Sequence, residues 1–197
     1  MLGGYTLEST QSSRSSVFNQ NRALASVVNA NHCDAVSDPL PFTVKPIYWN
    51  TSQKEVKAIR NKVFVEEQGV PPELEWDGLD EHSYHVLAYA PDGAPIGTGR
   101  LLQDGHIGRI AVLQEWRGKG VGCALLDLLL VIANKMGNEE VKLHAQIRVV
   151  NFYKKHGFTR QGKEFMEAGI PHFAMKRKTA DQTSWPASFV FRPLAPL

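Results

Sequence analysis

With 197 residues, of which 43% are hydrophobic and 21% charged, the chain has the composition of a soluble globular protein and room for one α/β domain with a tail or two. A formal net charge of +2 by itself argues neither for nor against a nucleic-acid partner, since a nucleic-acid binder usually shows a clustered basic surplus; none is expected. No apolar run reaches the roughly 18 residues a membrane-spanning helix needs. The two cysteines, Cys33 and Cys123, are too few for a disulfide framework and suit a reducing compartment. No CxxC or His/Cys cluster has metal-ligand spacing, so no metal is expected.

Residues 1–38 are rich in Ser and Asn, with Arg14 and Arg22 as their basic residues, and read as a flexible N-terminal arm. A mitochondrial presequence is the alternative for such a Ser-rich, acid-poor segment, so the expected location is cytoplasmic, or mitochondrial if the arm is a transit peptide. The central domain is placed at residues 39–178. Phe42 to Ile47 reads as a first strand. Ser52 and Glu55 fit a capping box ahead of a helix with Val56, Ile59, Val63 and Phe64 on one face, which Gly69, Pro71 and Pro72 terminate. The acidic segment ELEWDGLDEHS follows. Three strands, Tyr84 to Tyr89, Ile96 to Leu102 and His106 to Val112, are joined by the turns PDGAP and QDG as an antiparallel meander. Val121, Ala124, Leu125, Leu128, Ile132 and Met136 then recur at helical spacing, and Gly137-Asn138 ends that helix. VKLHAQ is a strand, VVNFYKKHGF a short helix, and two strands near Arg160 to Phe165 and His172 to Met175 close the domain. A strand, crossover helix and strand imply parallel pairing within an otherwise antiparallel sheet. Residues 179–197, with three prolines and Trp185, Phe189 and Phe191, form a C-terminal tail.

The stretch RIAVLQEWRGKGVGCALLDLL places Gly118, Gly120 and Gly122 beside Arg117 and Lys119 where a helix must begin. Glycine is a poor helix former, but the N–H groups of a helix start are unpaired and suit a phosphate. Glycines without side chains would let that group approach the backbone, and the two cations would add charge. A tight, purely structural turn is the competing reading. No Ser or Thr follows Lys119, so a Walker A loop fails. The spacing G-x-G-x-G also misses the dinucleotide fingerprint G-x-G-x-x-G.

RGKGVG at a strand-to-helix junction resembles the R/Q-x-x-G-x-G/A pyrophosphate loop of the GNAT acetyltransferases. NFYKKHGF is similar to that family's tyrosine-bearing helix ending in Gly-Phe. The stretches VFVEEQGVP, LDEHSYHVLAY, GTGRL and GIPHFAM resemble a bacterial-type subgroup of uncharacterised GNAT proteins. The resemblance implies an α/β fold with a mixed, mainly antiparallel sheet and helices on both faces, and acetyl-CoA as co-substrate. It implies that Arg117, Gly118, Lys119, Gly120, Val121 and Gly122 hold the pyrophosphate. Ile110, Ala111 and Val112 would offer their backbone to the pantetheine arm. Tyr153 falls on the tyrosine that protonates the leaving thiolate. Gln146 stands where the family commonly has Asn seven residues before that tyrosine, which leaves its contact with the cofactor open.

Acetyl transfer to an amine also requires a proton acceptor, because an amine of pKa about 10 is mostly protonated at neutral pH. Glu67, or its neighbour Glu66, at the end of the first helix is the chosen candidate. His82, His85, His106 and His172 are alternatives. Asp77, Asp80 and Glu81 read as a solvated loop or as an acidic mouth for a cationic amine. The function expected is N-acetyl transfer to a primary amine of a small molecule, and a homodimer follows by analogy alone. An acyl-homoserine-lactone synthase is one alternative, from a faint likeness of Arg60, Phe64, Trp76, Asp77, Asp80 and Arg100 to that family. A non-catalytic acetyl-CoA-binding regulatory module is the other.

Overall fold

The computed structural model describes residues 41–179; the predicted arm of residues 1–38 and the tail beyond residue 179 lie outside the described residues. The predicted meander is present. Strands β1 (Thr43–Ile47), β2 (Tyr84–Tyr89), β3 (Pro95–Leu101) and β4 (Ile107–Val112) pair antiparallel in the order β1-β2-β3-β4. Asp side chains build its turns: Asp92 accepts from the Ala94 N–H and Asp104 from the His106 N–H, at 3.0 and 3.1 Å. β2 shows no in-out alternation because both faces are covered. Val86 and Ala88 pack with α3 (Val121–Lys135), whereas Leu87 packs with α1 (Trp49–Arg60). Helices on both faces leave β2 apolar throughout, as expected for a fully covered strand.

α1 begins earlier than its sequence signal. Its N-terminal boundary is Tyr48, with no side-chain cap, so the predicted Ser52–Glu55 capping box does not form. Ser52 already lies in the first turn, its N–H bonded to the Tyr48 carbonyl. Glu55 instead accepts a hydrogen bond from the Tyr89 hydroxyl at 2.9 Å. Starting at Tyr48 lets Trp49 join the buried face with Val56 and Ile59. The helix then widens into a π-helical turn, Asn61–Glu67, which carries Val63 and Phe64 against the same cluster. Such turns are often found at functional sites.

The second half forms a separate sheet, β5 (Glu140–Gln146), β7 (Ile170–Lys178) and β6 (Thr159–Glu167) in the order β5-β7-β6, all antiparallel. The short helices α2 (Pro72–Glu75) and α4 (Val150–Lys155) complete the elements used below. The expected parallel pairing of β4 with β5 shrinks to a single bridge between His106 and Lys142, beside a 3.1 Å bond from the Lys142 N–H to the Gly105 carbonyl. Beyond it the sheets part. The cause lies in β4. Its register against β3 runs Val112↔Gly97 and Ala111↔Thr98, then resumes at Gly108↔Arg100. One extra residue therefore bulges out of β4, and a bulge bends its strand. Arg109 takes φ +53° there. Gly99 sits opposite, and a Cβ on it would lie 2.9 Å from Leu129 Cδ1 and 3.3 Å from Ile110 Cγ1. That crowding accounts for a glycine in GTGRL.

A left-handed conformation costs a residue with a side chain about 1–2 kcal/mol, and charged contacts hold Arg109 in it. Its Nε lies 2.9 Å from Glu75 Oε2, and its Nη2 donates to the Leu74 carbonyl at 3.1 Å. Glu75 also receives the buried Arg60, whose Nη1 donates to Asp80 Oδ1 at 2.7 Å. Arg100 bonds Asp77 at 2.6 and 2.8 Å and Asp80 at 2.9 Å. His85 stacks on Trp49 and contacts the Asp80 carbonyl. The acidic segment is thus neither a solvated loop nor a mouth for substrate at Asp77 and Asp80. Its carboxylates turn inward to neutralise three arginines, a pairing that sequence spacing alone does not reveal.

Burial alone would raise the Asp77 carboxyl, but bonds from Arg100 and the Leu79 N–H outweigh it and hold the group down to about 2. Its stabilising share is therefore complete above its ordinary value near 3.8 and is lost as pH falls toward 2. Asp77→Asn is expected to flatten the fall in melting temperature between pH 4 and pH 2 relative to wild type. Parallel pH profiles for the two proteins would contradict this.

Candidate active site

The opening between the sheets exposes one edge of β4. The Leu113 N–H bonds the Ile96 carbonyl at 3.0 Å, so by strand alternation Leu113 and Ala111 direct their backbone toward β3. Ile110 and Val112 direct theirs into the gap. Ala111 was expected alongside them, but its backbone is engaged with β3 and its side chain is buried against the α1 cluster. Ile110 and Val112 pack their side chains on the α3 side.

Beyond β4 the chain turns through Gln114–Trp116 into the glycine loop. Gly120 is the N-cap of α3 at φ +82°, without a side-chain cap, and Gly118 has φ +73°. A Cβ on either would meet nothing within 4 Å. Glycine is therefore required by backbone conformation, and the loop faces open space. The Ala124 N–H donates to the Gly120 carbonyl at 3.1 Å, the first bond of the helix. Ahead of it the N–H groups of Val121 and Gly122 have no partner within the helix. Gly122 has neither constraint: a Cβ there would make ordinary contact with Phe152 Cζ at 3.9 Å and Val112 Cγ2 at 4.0 Å. Those distances also show that α4 abuts the head of α3. Lys119 Nζ sits 4.9 Å from the centre of the Trp116 ring.

Arg117 is committed elsewhere than expected. Its Nε donates to the Val112 carbonyl at 2.9 Å, and its two Nη atoms bond both oxygens of Glu67 at 2.6 Å. This fork ties the end of the π-helical turn to the head of α3. The bond from Arg117 lowers the Glu67 carboxyl, which makes Glu67 a weaker proton acceptor than a free carboxylate. Glu66 accepts from Asn61 Nδ2 at 2.6 Å. Both line a cleft of about 250 Å³ together with Lys62 and Glu115. Of the histidine candidates, His82 is exposed and His85 is buried in the charge network.

Tyr153 stands on α4, packed edge-on against Phe152 and Phe158 at 5.0 and 5.8 Å. Its hydroxyl has no hydrogen-bond partner among the described residues, and burial pushes its pKa up to about 12. It keeps its proton at neutral pH. Gln146, at the end of β5, donates through Nε2 to Gln68 Oε1 at 2.9 Å and accepts from Arg148 Nε at 2.8 Å. It thus spans the gap toward the π-helical turn. Gln68 and Arg148 had no sequence signal, since each matters only through a partner distant in the chain or across a turn.

A strand edge turned into the gap, N–H groups at a helix start without partners in the helix and open room over two glycines suit a molecule with a diphosphate and an amide-bearing arm. The family model described as acetyltransferase (GNAT) domain matches residues 50–179. The chain belongs to the GNAT acetyltransferase family. It is 42% identical over 129 residues to the uncharacterized N-acetyltransferase YjcF of Bacillus subtilis, covering 63% of this chain and 91% of that protein. Among solved structures it is similar to an acyl-CoA N-acyltransferase from Pseudomonas aeruginosa, with a TM-score of 0.63, 29% identity and coverage of 69% and 99% of the two chains. It is also similar to Escherichia coli ElaA, with a TM-score of 0.62, 27% identity and coverage of 70% and 99%. As a GNAT protein the chain is an acyl-CoA-dependent N-acyltransferase, and its fold is the expected mixed α/β one.

Proposed function

We propose that this enzyme transfers acetyl from acetyl-CoA to a primary amine of a small molecule by direct attack. The observation that carries the reading is the opening between β4 and β5 beside the α3 N-terminus, against which Phe152 of the Tyr153-bearing helix α4 lies. When bound, acetyl-CoA supplies an activated thioester carbonyl. The N–H groups of Val121 and Gly122 hold the diphosphate, the Lys119 ammonium adds charge, and Gly118 and Gly120 leave the approach clear. Arg117 acts through its backbone and by bracing the loop, because Glu67 occupies its guanidinium. Ile110 offers its backbone to the amide-bearing arm, while the Val112 carbonyl is taken by Arg117 and the Val112 N–H is the donor proposed for the developing oxyanion. Gln146, anchored by Gln68 and Arg148, borders the same gap. Tyr153 donates its proton to the departing sulfur.

The intact RGKGVG and FYKKHGF motifs disfavour the acyl-homoserine-lactone-synthase alternative. Arg60, Asp77, Asp80 and Arg100 do meet in space, but as the network that anchors the β4 bulge. The regulatory-module alternative is tested through Tyr153. Tyr153→Phe keeps the ring packing and removes the donor. It is expected to lower kcat by about 100-fold, near the low end for a positioned general acid, with CoA affinity unchanged by calorimetry. Retention of wild-type kcat across the pH range, with chemistry rate-limiting, would remove Tyr153 from the reaction.

We place the enzyme in the cytoplasm on its kinship with bacterial proteins, which lends no support to the mitochondrial alternative. Among the described residues no helix is long and apolar enough to cross a membrane.

A further inference from the structure

The reaction needs a proton acceptor for the amine, and Glu67 is held by Arg117. The second sheet presents another group. Val141, Leu143 and Ala145 of β5 are buried with α3, so Lys142, His144 and Gln146 occupy the opposite face. His144 Nδ1 lies 2.9 Å from Glu167 Oε2 on β6. A carboxylate only accepts, so Nδ1 donates to Glu167, and Nε2 is left as the ring atom that can exchange a proton with the acceptor. The ring is fixed edge-on between Phe165 and His106, with centroids 4.8 and 4.9 Å away. Its side chain nevertheless remains 38% exposed.

The position along the strand is equally telling. β5 touches β4 at the parallel bridge of His106 with Lys142. Continuing that register sets His144 level with Gly108 and Arg109, where β4 bulges away. Gln146, two residues on, already borders the gap. His144 therefore lies between the bridge and the mouth of the opening, on the face that carries Arg109 and the π-helical turn.

We propose that His144, oriented by Glu167, is the general base that deprotonates the acceptor amine; this rests on the acetyltransferase reading above. The ammonium nitrogen gives one proton to His144 Nε2, which passes it to solvent. The neutral nitrogen then forms the C–N bond as the C–S bond breaks. The sulfur takes the Tyr153 proton, and the second proton shed by nitrogen restores the tyrosine. His106 and Asp104 from the β3–β4 turn, Lys142 on β5, Glu167 on β6 and His172 on β7 face or flank this imidazole. Burial and the nearby His144 lower His106.

The test uses the full chain with acetyl-CoA, a panel of primary alkyl- and arylalkylamines, and a chromogenic disulfide that reports thiol release. His144→Gln is expected to lower kcat/KM at pH 7 by about 100–1,000-fold while leaving CoA affinity and melting temperature unchanged. The deficit should shrink as pH approaches the amine's own pKa. Added imidazole should restore part of the activity of His144→Ala. Glu167→Gln should show a smaller loss, with the basic limb of the pH profile displaced. A His144→Gln enzyme within threefold of wild type from pH 6 to 9 overturns the assignment, as does a deficit that does not change with pH. Absence of both turnover and CoA binding in the wild type would instead overturn the acetyltransferase reading, and this inference with it.

Discussion

Asp80→Ala is expected to destabilise the protein by about 3–5 kcal/mol, the cost of removing one partner from a buried charge network. One Asp80 oxygen receives Nη1 of both Arg60 and Arg100, at 2.7 and 2.9 Å. Arg60 and Arg100 are 0% and 4% exposed, so water cannot replace the lost acceptor. Deletion removes an acceptor from two guanidinium groups rather than one, leaving Arg60 with Glu75 and Arg100 with Asp77. Asp80→Asn keeps an acceptor oxygen and nearly the same volume, and should cost distinctly less. Urea denaturation of the three proteins distinguishes these outcomes. A loss below 1 kcal/mol for the alanine variant would mean that the arginines find other partners. The consequence extends to the site, because Arg60 shares Glu75 with Arg109. Loosening that network weakens the hold on the β4 bulge, so CoA affinity should fall in the folded fraction of Asp80→Ala as well.

What the sequence disclosed follows from how local each signal is. The meander was legible because its turns carry their own chemistry: Asp92-Gly93 and Asp104-Gly105 set the reversals whatever surrounds them. α3 was legible because its apolar residues recur at helical spacing, and it runs from Val121 as the periodicity predicts. The separation of β4 from β5 was not. It depends on one extra residue at Arg109, whose left-handed backbone is set by Glu75, some thirty residues earlier in the chain. The misreading of Asp77 and Asp80 has the same origin, since an acidic loop looks solvated until its arginine partners are placed in space. Within the candidate site, the glycine loop and Tyr153 were visible as compact motifs. The Glu67–Arg117 fork joins residues 50 positions apart, and the His144–Glu167 pair joins residues 23 apart on different strands. Neither spacing carries a pattern that a sequence can display.

Gly120→Glu is expected to weaken CoA binding by at least 100-fold, about 2.7 kcal/mol, while the protein stays folded. Two effects act together. The new side chain would occupy the open space over the loop, where a Cβ now meets no atom within 4 Å. Its carboxylate would also stand at the positive end of α3, where the Val121 and Gly122 N–H groups are proposed to hold a diphosphate, and would compete for the same donors. The fold pays a separate cost, because any L side chain at φ +82° is strained by about 1–2 kcal/mol. Gly137→Glu isolates that strain. Gly137 has φ +80° and equally open space, but lies at the far end of α3. It should lose a similar amount of stability and keep its CoA affinity. Calorimetry and thermal melts on both variants decide the matter. Threefold or smaller weakening in Gly120→Glu would remove the loop from cofactor binding. A comparable loss of affinity in both variants would assign the effect to helix strain rather than to the anion site.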